Sequence, residues 1–255
     1  MEELELHSRS IILNEIGMEG VAKLKKSAVL VIGAGGIASS ALQLLASSGI
    51  CNIWIADFDT LSPSNLQRQT IYKYADCGKS KVNLAADFLR GLNPFVSVHP
   101  LQTILNEESF ESFKSLVVKN NINCIIDTSD NFNTRLITNN LSIATKTPLL
   151  SAACIAFTIH LYCFKGYEQN MPCYACLFAS PDDVRSCANT GVFAPAVAIS
   201  GSLLACQVLK YLLKINDKDM FLQMLVMDAK SLATRITKIK KDTQCKCCSG
   251  NVASN

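Results

Sequence analysis

Three short polar segments between residues 57 and 81 carry side chains that could handle a nucleotide. They are Asp57-Phe58-Asp59, Ser64-Asn65-Leu66-Gln67-Arg68-Gln69 and Gly78-Lys79-Ser80-Lys81. Cations at Arg68 and Lys81 could offset charge on an α-phosphate and a departing pyrophosphate. A nicotinamide site has no need for two such cations. These segments therefore indicate phosphate chemistry rather than hydride transfer.

A glycine loop, Gly33-Ala34-Gly35-Gly36, lies just upstream of these segments. Such a loop brings backbone N–H groups and a helix N-terminus to a phosphate chain. Asp57 ends the next predicted strand, where a dinucleotide-binding unit places the acid that binds ribose. Because both features serve NAD and ATP equally well, they do not name a reaction by themselves.

Asp130 supplies a further carboxylate after another buried strand, predicted over residues 124–127. Residues that follow parallel strands line the crevice at the switch point of such a sheet. We therefore expect Asp130 to lie beside the glycine loop, Asp57 and Asp59. A carboxylate at a strand end can hold Mg²⁺ through water molecules. The sequence thus predicts a site for ATP and Mg²⁺.

The apolar pattern around these residues predicts the α/β class, with a Rossmann-like, mostly parallel sheet flanked by helices. Antiparallel strands are expected to be added at the C-terminal part. Strands are predicted over residues 27–32, 52–56, 95–101, 124–127, 148–151, 158–164 and 221–228. Helices are predicted over residues 37–48, 81–92 and 107–120, after a broken helical arm over residues 6–24.

The composition predicts one domain over residues 1–255, because a chain that is 49% hydrophobic can bury one large core. We divide it into the arm (1–26), a nucleotide-binding half (27–150) and a second half (151–255). The 24 basic and 21 acidic side chains nearly balance, so nucleic acid is not an expected partner.

Nothing in the sequence predicts a membrane or secreted protein. The long apolar stretch over residues 191–213 contains Pro195, Gln207 and Lys210, and a buried helix is expected there rather than a membrane span. The first residues are acidic and polar and do not form a secretory signal. A cytoplasmic location is therefore predicted.

Two cysteine pairs, Cys173 with Cys176 and Cys245 with Cys248, have the number and type of ligands of a tetrahedral Zn²⁺ site. Four thiolates close the coordination shell and leave no position for water. The metal would therefore be structural and would hold the C-terminal tail to an earlier loop. Cys247 lies inside the second pair and leaves open a ligand choice of Cys245 and Cys247.

Taken in order, these motifs resemble the MoeB/ThiF/HesA family, the bacterial relatives of ubiquitin-activating enzymes, over nearly the full length. The matching segments are Ser8-Arg9 with Ile11-Ile12-Leu13, Gly33-Ala34-Gly35-Gly36, Asp57-Phe58-Asp59, Ser64-Asn65-Leu66-Gln67-Arg68-Gln69, Gly78-Lys79-Ser80-Lys81, Asp127-Thr128-Ser129-Asp130-Asn131 and Gly191-Val192-Phe193-Ala194-Pro195. The resemblance implies an adenylyltransferase that uses ATP on the C-terminal glycine of a small ubiquitin-fold sulfur carrier. A ThiS-like carrier would serve thiamine biosynthesis, and a MoaD-like carrier would serve molybdenum cofactor biosynthesis.

The resemblance also implies a role for each site residue. The nucleotide would be held by Gly33, Gly35, Gly36 and Asp59 in the crevice, Asp57 at the ribose, Asn65, Arg68 and Lys81 at the phosphates, Asp130 at Mg²⁺ and, more weakly, Gln69. Arg9 would reach the triphosphate of the other subunit, which implies a homodimer. Residues 151–255 would bind the carrier. Arg68, Lys81 and Asp130 would also be the catalytic residues.

Cys187 stands where the family carries a cysteine that can form a covalent link to the carrier's carboxyl group. Its role stays open between catalysis and packing, since a thiol near a flexible loop and a helix N-terminus could be activated. The remaining cysteines are expected to pack in apolar surroundings: Cys51, Cys77, Cys124, Cys154, Cys163 and Cys206.

The chain departs from the family pattern at three places, and these bear on the partner more than on adenylation. In the arm, His7-Ser8-Arg9-Ser10 lacks one cation and the glutamine, and His7 is expected to be solvated. The segment Ser151-Ala152-Ala153-Cys154-Ile155-Ala156 and the pair Ile159-His160 differ where the family faces the carrier tail. The altered segment leaves open the adenylation of a ribosomally made peptide, and the glycine loop taken alone leaves open an NAD-dependent oxidoreductase.

Overall fold

One mixed sheet of eight strands forms the centre of the molecule. The computed structural model describes residues 2–180, 191–215 and 219–249. The strands are β1 (Ala28–Ile32), β2 (Asn52–Ala56), β3 (Ser97–Leu101), β4 (Cys124–Asp127), β5 (Leu149–Ile155), β6 (Thr158–Phe164), β7 (Gln223–Asp228) and β8 (Thr234–Lys238). Their order across the sheet is β3-β2-β1-β4-β5-β6-β7-β8.

The first five strands are parallel, and the last three continue the sheet in antiparallel pairs. From β1 the chain adds β2 and β3 on one side and then β4 and β5 on the other side. The gap between β1 and β4 is therefore the switch point of the sheet. Ile32 at the end of β1 pairs with Ala56 of β2 on one side and with Asp127 of β4 on the other. The residues that follow these three strands therefore emerge side by side.

Helices cover both faces of the sheet. They are α1 (Glu2–Leu6), α2 (Ser8–Ile11), α3 (Gly17–Lys25), α4 (Gly36–Ser47), α5 (Lys81–Leu92), α6 (Phe110–Lys119), α7 (Phe132–Thr145), α8 (Tyr174–Leu177) and α9 (Ala194–Leu213). Short 3₁₀ turns occupy Pro63–Asn65, Tyr74–Asp76 and Met220–Leu222.

The sheet separates two apolar cores. Alternate residues of β1 point to opposite faces, so Val29 and Val31 join the core with α4, α5 and α9, whereas Leu30 and Ile32 join the core with α6, α7 and α8. All five residues of β1 are buried, as expected for a parallel strand covered on both faces.

Helix α9 is the central helix of one layer. Within the described part of the chain it is the one helix whose length and apolar composition would suffice to cross a membrane. It instead packs against α4 and β5, and its buried residues include Val197, Leu204 and Val208. The prediction of a buried helix is confirmed.

The fold class is confirmed, and the elements that the sequence did not predict include α7 and β8. Their sequences are rich in Thr and Asn or fully exposed, so neither carries a strong apolar period. The strand expected over residues 148–151 extends to Ile155. The boundary placed between residues 150 and 151 falls inside β5, and the two halves share one sheet.

Two expectations about single residues were wrong. His7 is only 3% exposed, because its imidazole lies against Gly49, where a Cβ would come within 3.0 Å of the ring. It therefore fastens the N-terminal arm to the end of α4. Cys206 is exposed on α9 and does not pack in the core.

Gly201 allows α9 to approach α4 closely. A Cβ at this position would overlap the Ile37 carbonyl oxygen and lie 2.8 Å from the Cβ of Ser40. We expect Gly201→Ala to lower the free energy of unfolding by about 1–3 kcal/mol, because the two helices must move apart. Chemical denaturation followed by circular dichroism measures this change.

Gly91→Ala is the matched control, since Gly91 lies in α5 with no atom near its would-be Cβ. It should be neutral or stabilising by up to about 1 kcal/mol. Equal effects of the two substitutions would contradict the close packing of α4 on α9.

Candidate nucleotide-binding site

A crevice of about 450 Å³ opens at the carboxyl ends of β1, β2 and β4. This is the place that the switch-point rule predicts for a ligand. Its lining includes the following residues that the sequence singled out: Gly33, Gly35, Gly36, Asp57, Asp59, Asn65, Arg68, Gln69, Lys81 and Asp130. The fold thus gathers segments that lie nearly 100 positions apart into one site, and their individual roles stay predictions.

The glycine loop makes tight contacts that side chains would disrupt. Gly33 has φ +95°, a left-handed conformation that favours glycine, and its N–H donates to Ala56 O at 2.8 Å. A Cβ on Gly36 would lie 2.6 Å from Val197 Cγ1. At Gly35 the nearest atom to such a Cβ is 3.8 Å away, so the backbone there is open to a ligand.

The Ala34 peptide is held from two sides. Its N–H donates to Asp57 Oδ2 at 2.7 Å, and its carbonyl accepts from the Tyr72 hydroxyl at 2.7 Å. Burial and the nearby Asp57 charge raise the pKa of Tyr72, so the phenol stays protonated and can donate. Sequence reasoning missed Tyr72, because nothing in its neighbourhood distinguishes it from a packing residue.

Asp57 has a structural role in addition to the one expected of it. Its Oδ1 accepts the Asp59 N–H at 2.8 Å while its Oδ2 holds Ala34. Each carboxylate oxygen can accept more than one hydrogen bond. Ribose hydroxyls could therefore still bind to Asp57 after the glycine loop is fixed.

Lys81 begins α5 and is buried, with 5% of the residue exposed. Its ammonium group donates to Asp59 Oδ2 at 2.7 Å, and its backbone N–H donates to Asp59 O at 3.1 Å. A buried ammonium needs such a partner. Because Lys81 has three donors and lines the crevice, it can contact a phosphate while the ion pair persists.

The segment over residues 62–69 is organised by local hydrogen bonds. Asn65 Oδ1 accepts the Ser62 N–H at 3.1 Å, and Arg68 Nη1 donates to Ser64 O at 3.1 Å. Gln69 is 3% exposed, and within the described residues its Oε1 is buried without a hydrogen-bond partner. An orphaned acceptor in the crevice lining is consistent with a ligand or water bound there.

Asp130 projects from a loop whose backbone is fixed by its neighbours. The Asp127 carboxylate is fully buried and accepts from Ser129 N at 2.9 Å and from Ser151 Oγ at 3.0 Å. Asn131 caps α7 by accepting the Thr134 N–H at 2.9 Å. The Asp130 side chain is exposed at the crevice, which suits a carboxylate that binds a hydrated cation.

Two expected site residues are not among those that line the crevice in the described part of the chain. Arg9 is exposed on α2 and does not line the crevice, so its predicted action on a second subunit stays a prediction. Cys187 lies outside the described residues. Among the residues that sequence reasoning passed over, Thr128 and Arg135 also line the crevice.

The four predicted zinc ligands form one cluster. The sulfur atoms of Cys173, Cys176, Cys245 and Cys248 all lie within 4.8 Å of one another. The Sγ–Sγ distances are 3.6 Å for Cys173 and Cys245, 3.4 Å for Cys176 and Cys248, and 3.8 Å for Cys173 and Cys176. Sulfurs at about 2.3 Å from a tetrahedral Zn²⁺ would be roughly 3.8 Å apart, so the cluster fits this ion.

The cluster also favours formation of a thiolate. The hydrogen bond between the two sulfurs lowers the pKa of Cys176, whereas the same contact and burial raise the pKa of Cys173. One of the pair is therefore favoured as thiolate, the form that binds metal. Cys247 lies near the cluster but is not one of the four converging sulfurs. The geometry therefore favours Cys245 with Cys248 over Cys245 with Cys247.

The fold and the crevice define the class of protein. A parallel sheet of this order with a glycine loop and an acid at its switch point is typical of nucleotide-binding α/β proteins. The chain belongs to the ThiF family, whose sequence profile matches residues 7–247. The resemblance to this family is thus confirmed.

Two similar proteins that cover nearly the whole chain are named as adenylyltransferases. The sulfur carrier protein adenylyltransferase of Thermus thermophilus is 34% identical over 253 residues, which cover 97% of this chain and 91% of the relative. The molybdopterin-synthase adenylyltransferase of Escherichia coli K12 is 33% identical over 248 residues and 97% of each chain. The chain is accordingly an enzyme of the adenylyltransferase kind.

Solved structures share the fold. E. coli MccB crystallised with ATP superposes with a TM-score of 0.79 over 96% of this chain and 75% of that chain, at 21% identity. PaaA gives a TM-score of 0.77 at 22% identity over 94% of this chain and 75% of that chain. At these identities the likeness concerns the fold alone.

Tyr72→Phe should weaken nucleotide binding. Losing the hydrogen bond to Ala34 costs about 1 kcal/mol, or roughly a fivefold increase in Kd for Mg·ATP, because the glycine loop is no longer held from both sides. Isothermal titration calorimetry measures the Kd. Tyr74→Phe is the matched control, since Tyr74 is 76% exposed and lies outside the crevice. An unchanged Kd in Tyr72→Phe would show that the hydrogen bond from Tyr72 to Ala34 does not support nucleotide binding.

Cys248→Ser should remove the metal. We expect about one Zn²⁺ per chain in the purified protein, and near zero in this variant, with a lowered melting temperature. Elemental analysis and thermal unfolding measure both effects. Cys247→Ser should keep the metal, and loss of zinc in that variant instead would show that the ligand choice is wrong.

Proposed function

We propose that this enzyme uses ATP to adenylate the C-terminal glycine of a small ubiquitin-fold sulfur carrier. The observation that carries the proposal is the convergence of Arg68, Lys81 and Asp130 on the glycine-loop crevice. Relatives named for sulfur-carrier and molybdopterin-synthase adenylylation match nearly the whole chain and support the choice of substrate. A ThiS-like or MoaD-like carrier would fit it, for thiamine or molybdenum cofactor biosynthesis.

The crevice offers a position for each part of ATP. Gly35, whose backbone is open, is the N-cap of α4, and the positive end of the helix dipole favours phosphate there. Asp57 would bind the ribose hydroxyls. The triphosphate would run past Asn65, Arg68 and Lys81 toward Asp130. Bound Mg²⁺ would neutralise phosphate charge, and Asp130 would be the carboxylate that holds it.

The reaction needs positioning rather than proton transfer. The carrier's terminal carboxylate would attack the α-phosphorus, forming the acyl–phosphate bond while the bond to pyrophosphate breaks. Because this nucleophile is already ionised, no general base is required. Lys81 and Arg68 would stabilise the charge on the transferring and leaving groups, in a site where fixed donors are most effective.

The cysteine cluster would hold a structural Zn²⁺. Cys173 is the N-cap of the short helix α8 and Cys176 lies within it, whereas Cys245 and Cys248 belong to the segment after β8. Four thiolates would complete the coordination shell and would fasten this C-terminal segment to the α8 region. Catalytic use of such a closed site is not expected.

A homodimer in the cytoplasm completes the proposal. The N-terminal arm and α3 expose the apolar side chains Leu6, Ile12, Leu13 and Met18, a pattern typical of an interaction surface. Arg9 lies among them on α2 and is exposed. A second subunit on this surface would bring its own crevice toward Arg9.

A peptide substrate is the second candidate. Ala156, between β5 and β6, has φ +53°, so the segment that departs from the family pattern also has an unusual backbone. Its N–H donates to Gly191 O at 3.1 Å, which places this turn beside the crevice lining. A changed turn at that position would suit an acceptor other than a sulfur carrier.

ATP–pyrophosphate exchange with ThiS-like carriers, MoaD-like carriers and short peptides tests the proposal. Exchange with one acceptor would identify the substrate class. Lys81→Ala should lower the exchange rate at least about 100-fold, because a preorganised cation is lost from the transition state. Lys79→Ala is the matched control, since Lys79 is exposed and pairs with Asp76.

Two outcomes would contradict the proposal. No ATP–pyrophosphate exchange with either carrier, together with exchange in the presence of a peptide, would favour the peptide as substrate. Preferential binding of NADH over Mg·ATP would support the hypothesis of an NAD-dependent oxidoreductase. Tight binding of Mg·ATP that is lost in Asp130→Ala would contradict that hypothesis. Cys187→Ala, assayed in parallel, separates adenylation from any later covalent step.

A further inference from the structure

Arg135 is a buried cation in the floor of the crevice that the proposed reaction does not use. It lies in the first turns of α7 and is 4% exposed, yet it lines the crevice. A cation near a helix N-terminus opposes the helix dipole, and burying it is costly unless it is paired. Its hydrogen bonds indicate what offsets these costs.

The guanidinium group of Arg135 connects the loop after β4 to the two neighbouring strands. Nη1 donates to the Tyr162 hydroxyl of β6 at 2.8 Å. Nη2 donates to Ser129 O, and to Ala152 O of β5 at 3.4 Å. A planar fork with several donors in fixed directions can make these contacts at once. Lysine could replace the charge but not the geometry.

Ser129 is consequently held on both sides of its peptide. The Asp127 carboxylate accepts its N–H at 2.9 Å and its hydroxyl at 2.6 Å, and Arg135 holds its carbonyl. That carbonyl belongs to the peptide bond that leads into Asp130. On the other side of Asp130, Asn131 caps α7. With the backbone held on both sides of Asp130, the direction in which its side chain leaves the backbone is restricted.

Asp127 and Arg135 are both buried charged residues beneath the Asp130 loop. Burial raises the pKa of Tyr162, and the Arg135 charge lowers it while the Asp127 charge raises it. The same phenol therefore experiences both charges. Their proximity offsets the desolvation of each, provided that the remaining polar atoms are hydrogen bonded.

We propose that Arg135 is a positioning residue for Asp130, setting the site's affinity for Mg²⁺ through the Ser129 peptide. This inference rests on the proposed function, because it assigns Asp130 the Mg²⁺. Arg135 acts on the cation through the loop and does not itself touch the nucleotide. Residues that orient a metal-binding carboxylate typically change metal affinity by about 10–100-fold when altered.

Calorimetric titration of the full-length protein with a non-hydrolysable α,β-methylene ATP analogue at a series of Mg²⁺ concentrations tests this inference. Mg²⁺ is expected to increase the affinity for the analogue. The Mg²⁺ concentration at which half of this increase is reached should be about tenfold higher in Arg135→Lys than in the wild type. Affinity for the analogue without Mg²⁺ should stay unchanged. Arg90→Lys is the matched control, since Arg90 also donates to a carbonyl, that of Val98, but lies outside the crevice.

A double-mutant cycle with Asp130→Ala separates positioning from direct contact. If Arg135 acts through Asp130, Arg135→Lys should add nothing to the Mg²⁺ response in the Asp130→Ala background. Additive effects, or a loss of analogue affinity without Mg²⁺, would mean that Arg135 contacts the nucleotide, and would overturn the inference. An Mg²⁺ response equal to wild type in Arg135→Lys would also overturn it.

Tyr162→Phe keeps the experiment decisive if Arg135→Lys fails to fold. It removes one partner of Arg135 and keeps the aromatic ring, so we expect a smaller shift in the same direction. No shift would overturn the inference. If the affinity of the wild-type protein for the analogue does not depend on Mg²⁺, the proposed function itself is refuted. This result is obtained before any variant is compared.

Discussion

The register of three parallel strands is the constraint on which the site depends. Pairing of Ile32 with both Ala56 and Asp127 places the ends of β1, β2 and β4 side by side. The glycine loop, the Asp57 segment and the Asp130 loop then leave the sheet at one edge. A shift of one residue in any of these strands would turn its side chains to the opposite face and would separate the acids from the loop.

Charged groups buried at this edge are stabilised by hydrogen-bonded partners, one pair between different segments and one within the segment that starts at the end of β4. Lys81 pairs with Asp59, while Asp127 and Arg135 share the Ser129 peptide. Each group would be costly to bury alone. Because these hydrogen bonds are short and mostly buried, they hold the polar groups of the crevice in fixed positions.

Much of the fold could be predicted from the sequence because strands β1 and β4 are continuous apolar runs and α4 and α5 have clear helical patterns. Strand β8 escaped prediction because all of its residues are exposed and it forms only through pairing with β7. His7 was expected in solvent because its burial depends on the absence of a side chain at Gly49. Neither feature has a local signal.

The sequence by itself determined the chemistry available to this protein: a glycine loop, two cations, several acids and two cysteine pairs at spacings that predict a ThiF-type enzyme with a zinc site. These are properties of residue type and order, and they are readable along the chain. Only the tertiary structure decided that Tyr72 clamps Ala34, that Arg135 holds Ser129 and which sulfurs converge. Most of these contacts join residues far apart in sequence, and even that of Arg135 with Ser129, six positions away, needs the β4 loop and α7 in place. They exist only once strand register and helix packing bring the residues together.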